Sequence, residues 1–190
     1  MFQHHADIKA CLQILENGGI ILYPTDTVWG VGCDATNEAA VNKIFTLKKR
    51  AESKAMIVLL EDENELLNYV EDETVQIFDY IKGIHKPTTV IYSQGKNLAN
   101  NLLGQDGSVA IRICKDPFCK SLIKQYGKPI VSTSANISGY PTPMCFNDIS
   151  LDILEGVDYV VKYKQEDNET KQPSAIIKWD TQGKLIIIRA

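Results

Sequence analysis

The sequence predicts an α/β fold in which helices flank a mixed β-sheet. Segments with helical periodicity alternate with short apolar runs, which is the pattern of strands joined by helical crossovers. Near the C-terminus, two strand-like runs flank residues 180–183, a Gly-containing segment typical of a hairpin turn. Crossovers favour parallel neighbours and a hairpin requires an antiparallel pair, so the sheet is expected to contain both.

Helices are predicted from the spacing of apolar residues and from capping signals. In the first of them, Ile8, Cys11 and Leu15 follow the i, i+3, i+7 pattern of a buried helix face. Asn37 is a favourable N-cap for the second, and Pro117 suits the first turn of a later one. The predicted helical segments are residues 7–17, 37–48, 63–69, 73–81 and 117–126.

Strands are predicted where short apolar or β-branched runs lie between turn residues. The predicted strands are residues 20–22, 56–60, 88–92, 109–113, 130–131, 175–179 and 184–188. Residues 162–173 contain almost no apolar side chain, and we therefore expect a mobile loop there, with the capacity to act as a lid.

Bulk properties restrict the class of protein. A chain of 190 residues with 44% hydrophobic content can form one well-buried core, and a single domain over residues 1–190 is expected. No apolar run reaches the roughly 18 residues of a membrane span, and the N-terminus lacks the pattern of a signal peptide, so a cytoplasmic protein is expected. The five cysteines are odd in number and scattered, which favours free thiols.

The net charge of −4 gives no general attraction to nucleic acid. A local basic patch stays open, because the field near a cleft depends on where the charges are placed. The three histidines and the absence of a Walker motif or GxGxxG leave little material for a catalytic triad or a phosphate-binding glycine loop.

Three segments carry polar groups at the ends of predicted elements. Residues 23–30 (YPTDTVWG) follow an apolar strand, residues 48–54 (KKRAESK) end a helix, and residues 132–139 (STSANISG) follow another strand. Each has a structural explanation: a turn, a helix end with favourable cations, or a serine-rich surface turn. Each also has a functional explanation, because polar groups at the ends of rigid elements are suited to hold a ligand.

Together these segments resemble the YrdC/TsaC family, the threonylcarbamoyl-AMP synthases that act in tRNA modification, and the similarity extends from about residue 18 to 189. The resemblance implies a YrdC-like twisted mixed β-sheet with flanking helices around a concave cleft. The family motif YPTDTxYG matches residues 23–30, with Trp29 in place of tyrosine; its KxR pair matches Lys48 and Arg50, and its SxN pair matches Ser134 and Asn136.

The resemblance also implies roles for individual residues. The threonine-binding residues are predicted to be Thr27, Arg112, Ser132 and Ser174. The catalytic residues are predicted to be Lys48, Arg50, Ser134 and Asn136. The nucleotide-binding residues are predicted to be Arg50, Lys54, Ser108, Ser134, Thr142 and Arg189. No metal ligand is predicted in the chain, and Mg²⁺ is expected as the companion of ATP.

The implied activity is a nucleotidyl transfer from ATP to threonine and bicarbonate or carbon dioxide, giving threonylcarbamoyl-AMP and pyrophosphate. The implied partner is a downstream tRNA-modifying transferase complex. The sequence departs from the family pattern at Ala51, Ala55 and Leu59, and residues 84–87 keep only the last proline of WPGP. Two alternatives stay open: a module without catalysis that binds tRNA or double-stranded RNA or acts in ribosome maturation, and the related carbamoyl-transfer domain of hydrogenase maturation proteins.

Overall fold

The computed structural model describes residues 4–50, 56–71, 83, 86–179 and 184–190. The strands in this part of the chain are β1 (Ile21–Tyr23), β2 (Gly30–Gly32), β3 (Ile57–Leu60), β4 (Thr88–Tyr92), β5 (Val109–Ile113), β6 (Ile130–Ser134), β7 (Tyr159–Val160), β8 (Ala175–Trp179) and β9 (Leu185–Arg189). They form one sheet in the order β7-β1-β2-β6-β3-β5-β4-β8-β9. The β1–β7, β3–β5 and β4–β8 pairs are parallel and the other pairs are antiparallel, so the predicted mixed sheet is confirmed.

The helices of the described part are α1 (His5–Glu16), α2 (Glu38–Lys48), α3 (Pro117–Tyr126) and α4 (Leu151–Gly156). Short 3₁₀ segments lie at Glu63–Asn68, Asn100–Leu102 and Phe146–Asp148. The side chain of Asn37 accepts a hydrogen bond from the Ala40 amide at the start of α2, as its sequence position predicts. The carboxylate of Asp116 caps α3 in the same way, and Gly127 ends that helix with a φ of 72°.

Most predicted elements are present, and several of them have the predicted bounds. The strands at residues 88–92, 109–113 and 175–179 and the helix at 117–126 are confirmed residue for residue. The helix expected at residues 63–69 is a 3₁₀ segment. The predicted helix at 73–81 and the hairpin turn at 180–183 lie outside the described residues. The elements β2, β7 and α4 were not predicted, because each has six residues or fewer and leaves little periodicity to detect.

One strand of the sheet is longer than predicted. A strand was expected only at residues 130–131, but β6 continues to Ser134. The reason is the unpredicted neighbour β2: Thr133 pairs with Val31, and Ser134 pairs with Gly30. The ladder hydrogen bonds of β2 therefore keep the hydroxyl-rich segment extended where its composition alone suggested a turn.

The segment at residues 162–173 is coil, as expected, but its first part is anchored. The buried carboxylate of Asp7 accepts hydrogen bonds from the amides of Lys162 (3.2 Å) and Tyr163 (3.0 Å). Lys164 forms an ion pair of 2.8 Å with the buried Asp116. The mobility of the 162–173 segment stays a prediction. Because of these contacts, it concerns only the residues after Lys164.

Strand β2 depends on the absence of a side chain at Gly32. A Cβ atom there would lie 2.4 Å from the carbonyl oxygen of Val131 and 2.6 Å from the ring of Tyr23. Both distances are far below van der Waals contact, and the first involves backbone on a paired strand. The close packing of β1, β2 and β6 therefore requires glycine at this position.

We predict that Gly32→Ala lowers the free energy of unfolding by about 2–3 kcal/mol, because the added methyl group overpacks this junction. Chemical denaturation measures the change. Gly83→Ala is the control, since a Cβ atom at this exposed position meets nothing within 4 Å, and it should change stability by less than about 0.5 kcal/mol. Equal stability of the two variants would contradict the assigned packing.

Candidate active site

A cavity of about 250 Å³ lies where the ends of several strands meet. Its lining comes from the loop after β1, from the residues that follow α2, and from strands β3, β4, β5, β6, β8 and β9. The predicted site residues that line this cavity are Thr27, Arg50, Arg112, Ser132, Ser134, Thr142, Ser174 and Arg189. The structure therefore brings together most of the residues that the sequence singled out, although their individual roles stay predictions.

The loop after β1 presents the Thr27 hydroxyl as a hydrogen-bond acceptor. Thr25 Oγ1 donates its one proton to the Val28 carbonyl (2.8 Å) and accepts a bond from the Thr27 amide (3.0 Å). Thr27 Oγ1 lies 3.0 Å from Thr25 Oγ1, and the Thr25 proton is already used, so Thr27 donates in this contact. The lone pairs of the Thr27 hydroxyl are therefore available to accept a hydrogen bond from a ligand.

The Ser132 hydroxyl is arranged in a similar way. The phenol of Tyr23 donates its proton to the Val131 carbonyl at 3.0 Å, so Ser132 acts as the donor in its own bond with that phenol. Burial raises the pKa of Tyr23 well above its ordinary value, which keeps this proton in place. A Cβ atom at Gly30 would lie 3.0 Å from Ser132 Oγ, so glycine also gives this hydroxyl its room.

The cavity also contains a buried guanidinium. Arg112 Nη2 lies 3.1 Å from Asp26 Oδ1, with side-chain exposures of 3% and 8%. The two groups are close without the alignment of a hydrogen bond, and Arg112 Nε and Nη2 have no hydrogen-bond partner among the described residues. Buried N–H donors without an acceptor raise the free energy of the folded protein, so this guanidinium is suited to bind an anionic ligand.

Two further arginines border the same space. Burial lowers the pKa of the Arg50 guanidinium, and burial together with the nearby charge of Arg112 lowers the pKa of Arg189. Arg189 Nε donates to the Ser174 carbonyl at 2.9 Å, and the Ser174 hydroxyl lies 2.8 Å from that of Thr89. The chain contains three arginines, and all of them line this cavity.

Lys48 is placed differently from Arg50. Its ammonium group donates to the backbone carbonyls of Ser134 and Asn136, and the residue is 1% exposed. Burial, and to a smaller extent the charge of Arg50, lowers the pKa of Lys48 to about 7. Lys48 does not border the cavity but lies behind its Ser134 wall.

A second cavity of about 590 Å³ adjoins the first at Thr142, which lines both. Its walls include Asn136 and the apolar surfaces of Tyr140, Pro141 and Met144. The Asn136 amide donates to the carbonyls of Ile137 (3.1 Å) and Tyr140 (2.8 Å), and its Oδ1 has no hydrogen-bond partner among the described residues. This cavity combines a flat apolar surface with polar groups, which suits a ring-containing ligand.

Three described site residues do not line the first cavity: Lys48 lies behind its wall, Asn136 lines the second cavity, and Ser108 lines neither. Ser108 lies just before β5, where its amide bonds with the Asp106 carboxylate, and it is not part of the lining. Lys54 lies outside the described residues. Sequence reasoning did not give site roles to Thr25, Asp26 and Tyr23, which support the lining residues; their position within the YPTDT segment was the available signal.

The described residues include no group of three or more histidine, cysteine or acidic side chains placed to hold a metal ion. None of the helices in this part of the chain is long and apolar enough to cross a bilayer.

We predict that pH changes the stability contributed by Lys48. The folded pKa of about 7 lies below the ordinary 10.5, so the unfolded chain binds more protons between these values. The stability of the wild type relative to Lys48→Met should therefore increase as pH rises from 7 to 10, by at most about 1.4 kcal/mol per pH unit. Denaturation of both proteins at several pH values measures this difference, and a constant difference would contradict the lowered pKa.

Comparison with known proteins agrees with this architecture. The chain matches the Sua5/YciO/YrdC family model, described as "Telomere recombination", over residues 13–190. It is 34% identical over 172 residues to a protein of Pseudoalteromonas translucida (strain TAC 125) named threonylcarbamoyl-AMP synthase, which covers 89% of this chain and 91% of the relative.

Solved structures show the same fold. P. abyssi Sua5 complexed with L-threonine superposes with a TM-score of 0.85 at 22% identity, covering 97% of this chain and 54% of that one, so the chain spans about half of the P. abyssi protein. E. coli YciO gives a TM-score of 0.82 at 22% identity, covering 97% of this chain and 88% of that one. The predicted YrdC-like twisted mixed sheet is thereby confirmed, and the chain belongs to the Sua5/YciO/YrdC family.

Proposed function

We propose that the protein is an L-threonylcarbamoyladenylate synthase, a nucleotidyltransferase that forms threonylcarbamoyl-AMP and pyrophosphate from L-threonine, bicarbonate or carbon dioxide, and ATP. The observation that carries this proposal is the convergence of all three arginines of the chain on one cavity that also presents acceptor hydroxyls. Such a cavity is suited to a ligand set with several anionic groups and at least one hydrogen-bond donor. The name of the P. translucida relative supports the same reaction.

Threonine would bind between Arg112 and the hydroxyl side of the cavity. The guanidinium of Arg112 has buried N–H groups to offer a carboxylate, with Asp26 behind it. Thr27 and Ser132 would accept hydrogen bonds from the amine or hydroxyl of the amino acid, because each hydroxyl donates its own hydrogen bond to a neighbour in the protein. Ser174 completes this group from the β8 side, and the threonine complex of P. abyssi Sua5 gives further support.

ATP would place its phosphates beside Arg50 and Arg189 and its adenosine in the adjoining cavity of about 590 Å³. Thr142 lines both cavities and lies where a ligand that occupies both would pass. Ser134 borders the phosphate side, and we retain Lys54 and Ser108 as proposed nucleotide contacts on the resemblance alone. Mg²⁺ would accompany ATP, since phosphate oxygens are the hard ligands that it prefers.

The proposed reaction needs placement and charge stabilisation more than a protein nucleophile. The threonine amine, once carboxylated, offers a carbamate oxygen that attacks the α-phosphorus; a new P–O bond forms, and the bond to the leaving pyrophosphate breaks. Arg50 would neutralise charge that develops on the phosphates, and preorganised donors of this kind contribute strongly to such steps. Holding both reactants in adjoining cavities supplies the effective concentration.

In the cell, the adenylate would be consumed by a transferase complex that modifies tRNA, and we propose a cytoplasmic location and a single functional domain. The decisive assay is incubation with ATP, bicarbonate and each amino acid in turn, with mass spectrometry for an aminoacyl-carbamoyl adenylate and a separate assay for pyrophosphate. The proposal requires a threonine-dependent adenylate. Binding of double-stranded RNA without any such product would instead support the non-catalytic alternative.

We predict that Arg50→Ala lowers turnover at least about tenfold with the fold intact, because the change removes charge stabilisation and little core packing. Pyrophosphate release in the presence of threonine measures turnover, and circular dichroism checks the fold. Lys124→Ala is the control: it removes a cation that is 72% exposed and does not line the cavity. Unchanged pyrophosphate release in Arg50→Ala would remove the phosphate role of this residue.

We predict that Arg112→Ala raises the KM for threonine at least about tenfold and changes the KM for ATP much less, because it removes the partner of the amino-acid carboxylate. Steady-state kinetics with each substrate varied in turn separates the two effects. Arg112→Lys keeps a cation opposite Asp26 and should lie between the wild type and the alanine variant. A selective loss of ATP affinity would reverse the assignment of the two halves of the cavity.

A further inference from the structure

Lys48 and Arg50 are two residues apart at the end of α2 but face different surroundings. Arg50 borders the cavity, whereas the Lys48 ammonium is directed to the carbonyl oxygens of Ser134 and Asn136. Lys49, between them, has left-handed backbone geometry with a φ of 50°, and this ends the helix. The helix thus ends between the two cations, and their side chains have different neighbours.

The donors of Lys48 are largely used by the protein itself. An ammonium group has three N–H bonds, and two of them are directed to these carbonyls. The residue is 1% exposed, and burial lowers its pKa. A cation in this position is poorly placed to contact a phosphate in the cavity, and removing it would take this donor from the Asn136 carbonyl and leave the Ser134 carbonyl only its bond from the Asn136 amide.

The contact with the 134–140 loop has a second component at the backbone. The Ser138 amide donates to the Lys48 carbonyl at 2.8 Å, while the Asn136 amide donates to the Ser134 carbonyl at 2.9 Å. The Asn136 side chain then closes the loop on the Tyr140 carbonyl at 2.8 Å. Lys48 therefore contacts the loop through both its side chain and its main chain, and the loop lines both cavities.

We propose that Lys48 is a positioning residue that fixes the 134–140 loop against the end of α2, so that Ser134 and Asn136 are held in register with Arg50. This inference rests on the proposed function for its catalytic consequence, but the placement of the loop is a property of the ligand-free protein. In this view the lysine of the KxR pair acts through the SxN segment, and the arginine acts on the nucleotide.

The first test is hydrogen exchange of the ligand-free protein, followed by mass spectrometry. Lys48→Met should raise exchange in peptides covering residues 135–140 at least about tenfold, because the loop loses its anchor. Arg50→Ala should leave these peptides unchanged. Lys124→Met is the matched control, since it removes a lysine that is 72% exposed and lines neither cavity. Lys48→Gln, which keeps an NH₂ donor group on a shorter side chain, should fall between the methionine variant and the wild type.

The second test compares ATP with AMP in binding measurements. Direct phosphate contact would make a variant lose more affinity for ATP than for AMP, as we expect for Arg50→Ala. A positioning residue should instead reduce both affinities by about the same factor and lower kcat at least about tenfold. A Lys48→Met protein with unchanged exchange at residues 135–140 and a loss confined to ATP would overturn the proposal in favour of a phosphate contact.

The two tests also separate this inference from the proposed function. If the wild type binds neither nucleotide, the proposed function fails, but the exchange result still decides whether Lys48 holds the loop. If Lys48→Met does not fold, as judged by circular dichroism, the same exchange and binding measurements on Lys48→Gln decide the question: intermediate exchange at residues 135–140 supports the proposal, and wild-type exchange contradicts it.

Discussion

The arrangement of the cavity depends on the close approach of β1, β2 and β6. Strand β2 is only three residues long, and its two glycines leave the face of the strand that they share without a side chain. Tyr23 on one side and Val131 and Ser132 on the other can therefore come into hydrogen-bond contact across it. A wider spacing would separate the loop that contains Thr27 from the hydroxyls of β6, and the two halves of the hydroxyl surface would no longer face one ligand.

The same arrangement explains how an acidic chain builds a cationic cavity. The net charge is −4, yet the three arginines converge where β5, β9 and the end of α2 meet. Lysines elsewhere are used in structural contacts, such as the ion pairs of Lys128 with Asp34 and of Lys164 with Asp116. Arginine can bind carboxylate and phosphate groups in a bidentate manner. The clustering of arginines at this cavity is therefore a better guide to the chemistry of the ligand than the net charge of the chain.

The sequence predicted the long elements well and the short ones poorly. Strands at residues 88–92 and 109–113 could be predicted because apolar side chains fill successive positions. Strand β2 could not, since two of its three residues are glycines, which are depleted in strands, and it is held by its two neighbours. The site residues came from motif resemblance, which identifies positions but not orientations. It grouped Lys48 with Arg50, whereas burial and two carbonyl contacts give the lysine different surroundings.

The cost of burying Lys48 suggests why a lysine is retained at this position. A methionine of similar length would fill the space without desolvating a charge, and buried cations seldom add net stability. The ammonium provides directed hydrogen bonds to the carbonyls of Ser134 and Asn136, and these bonds specify one conformation of the loop. A reaction that joins three substrates depends on the relative placement of the groups around them. Stability given up at the end of α2 is thus consistent with a requirement for that placement.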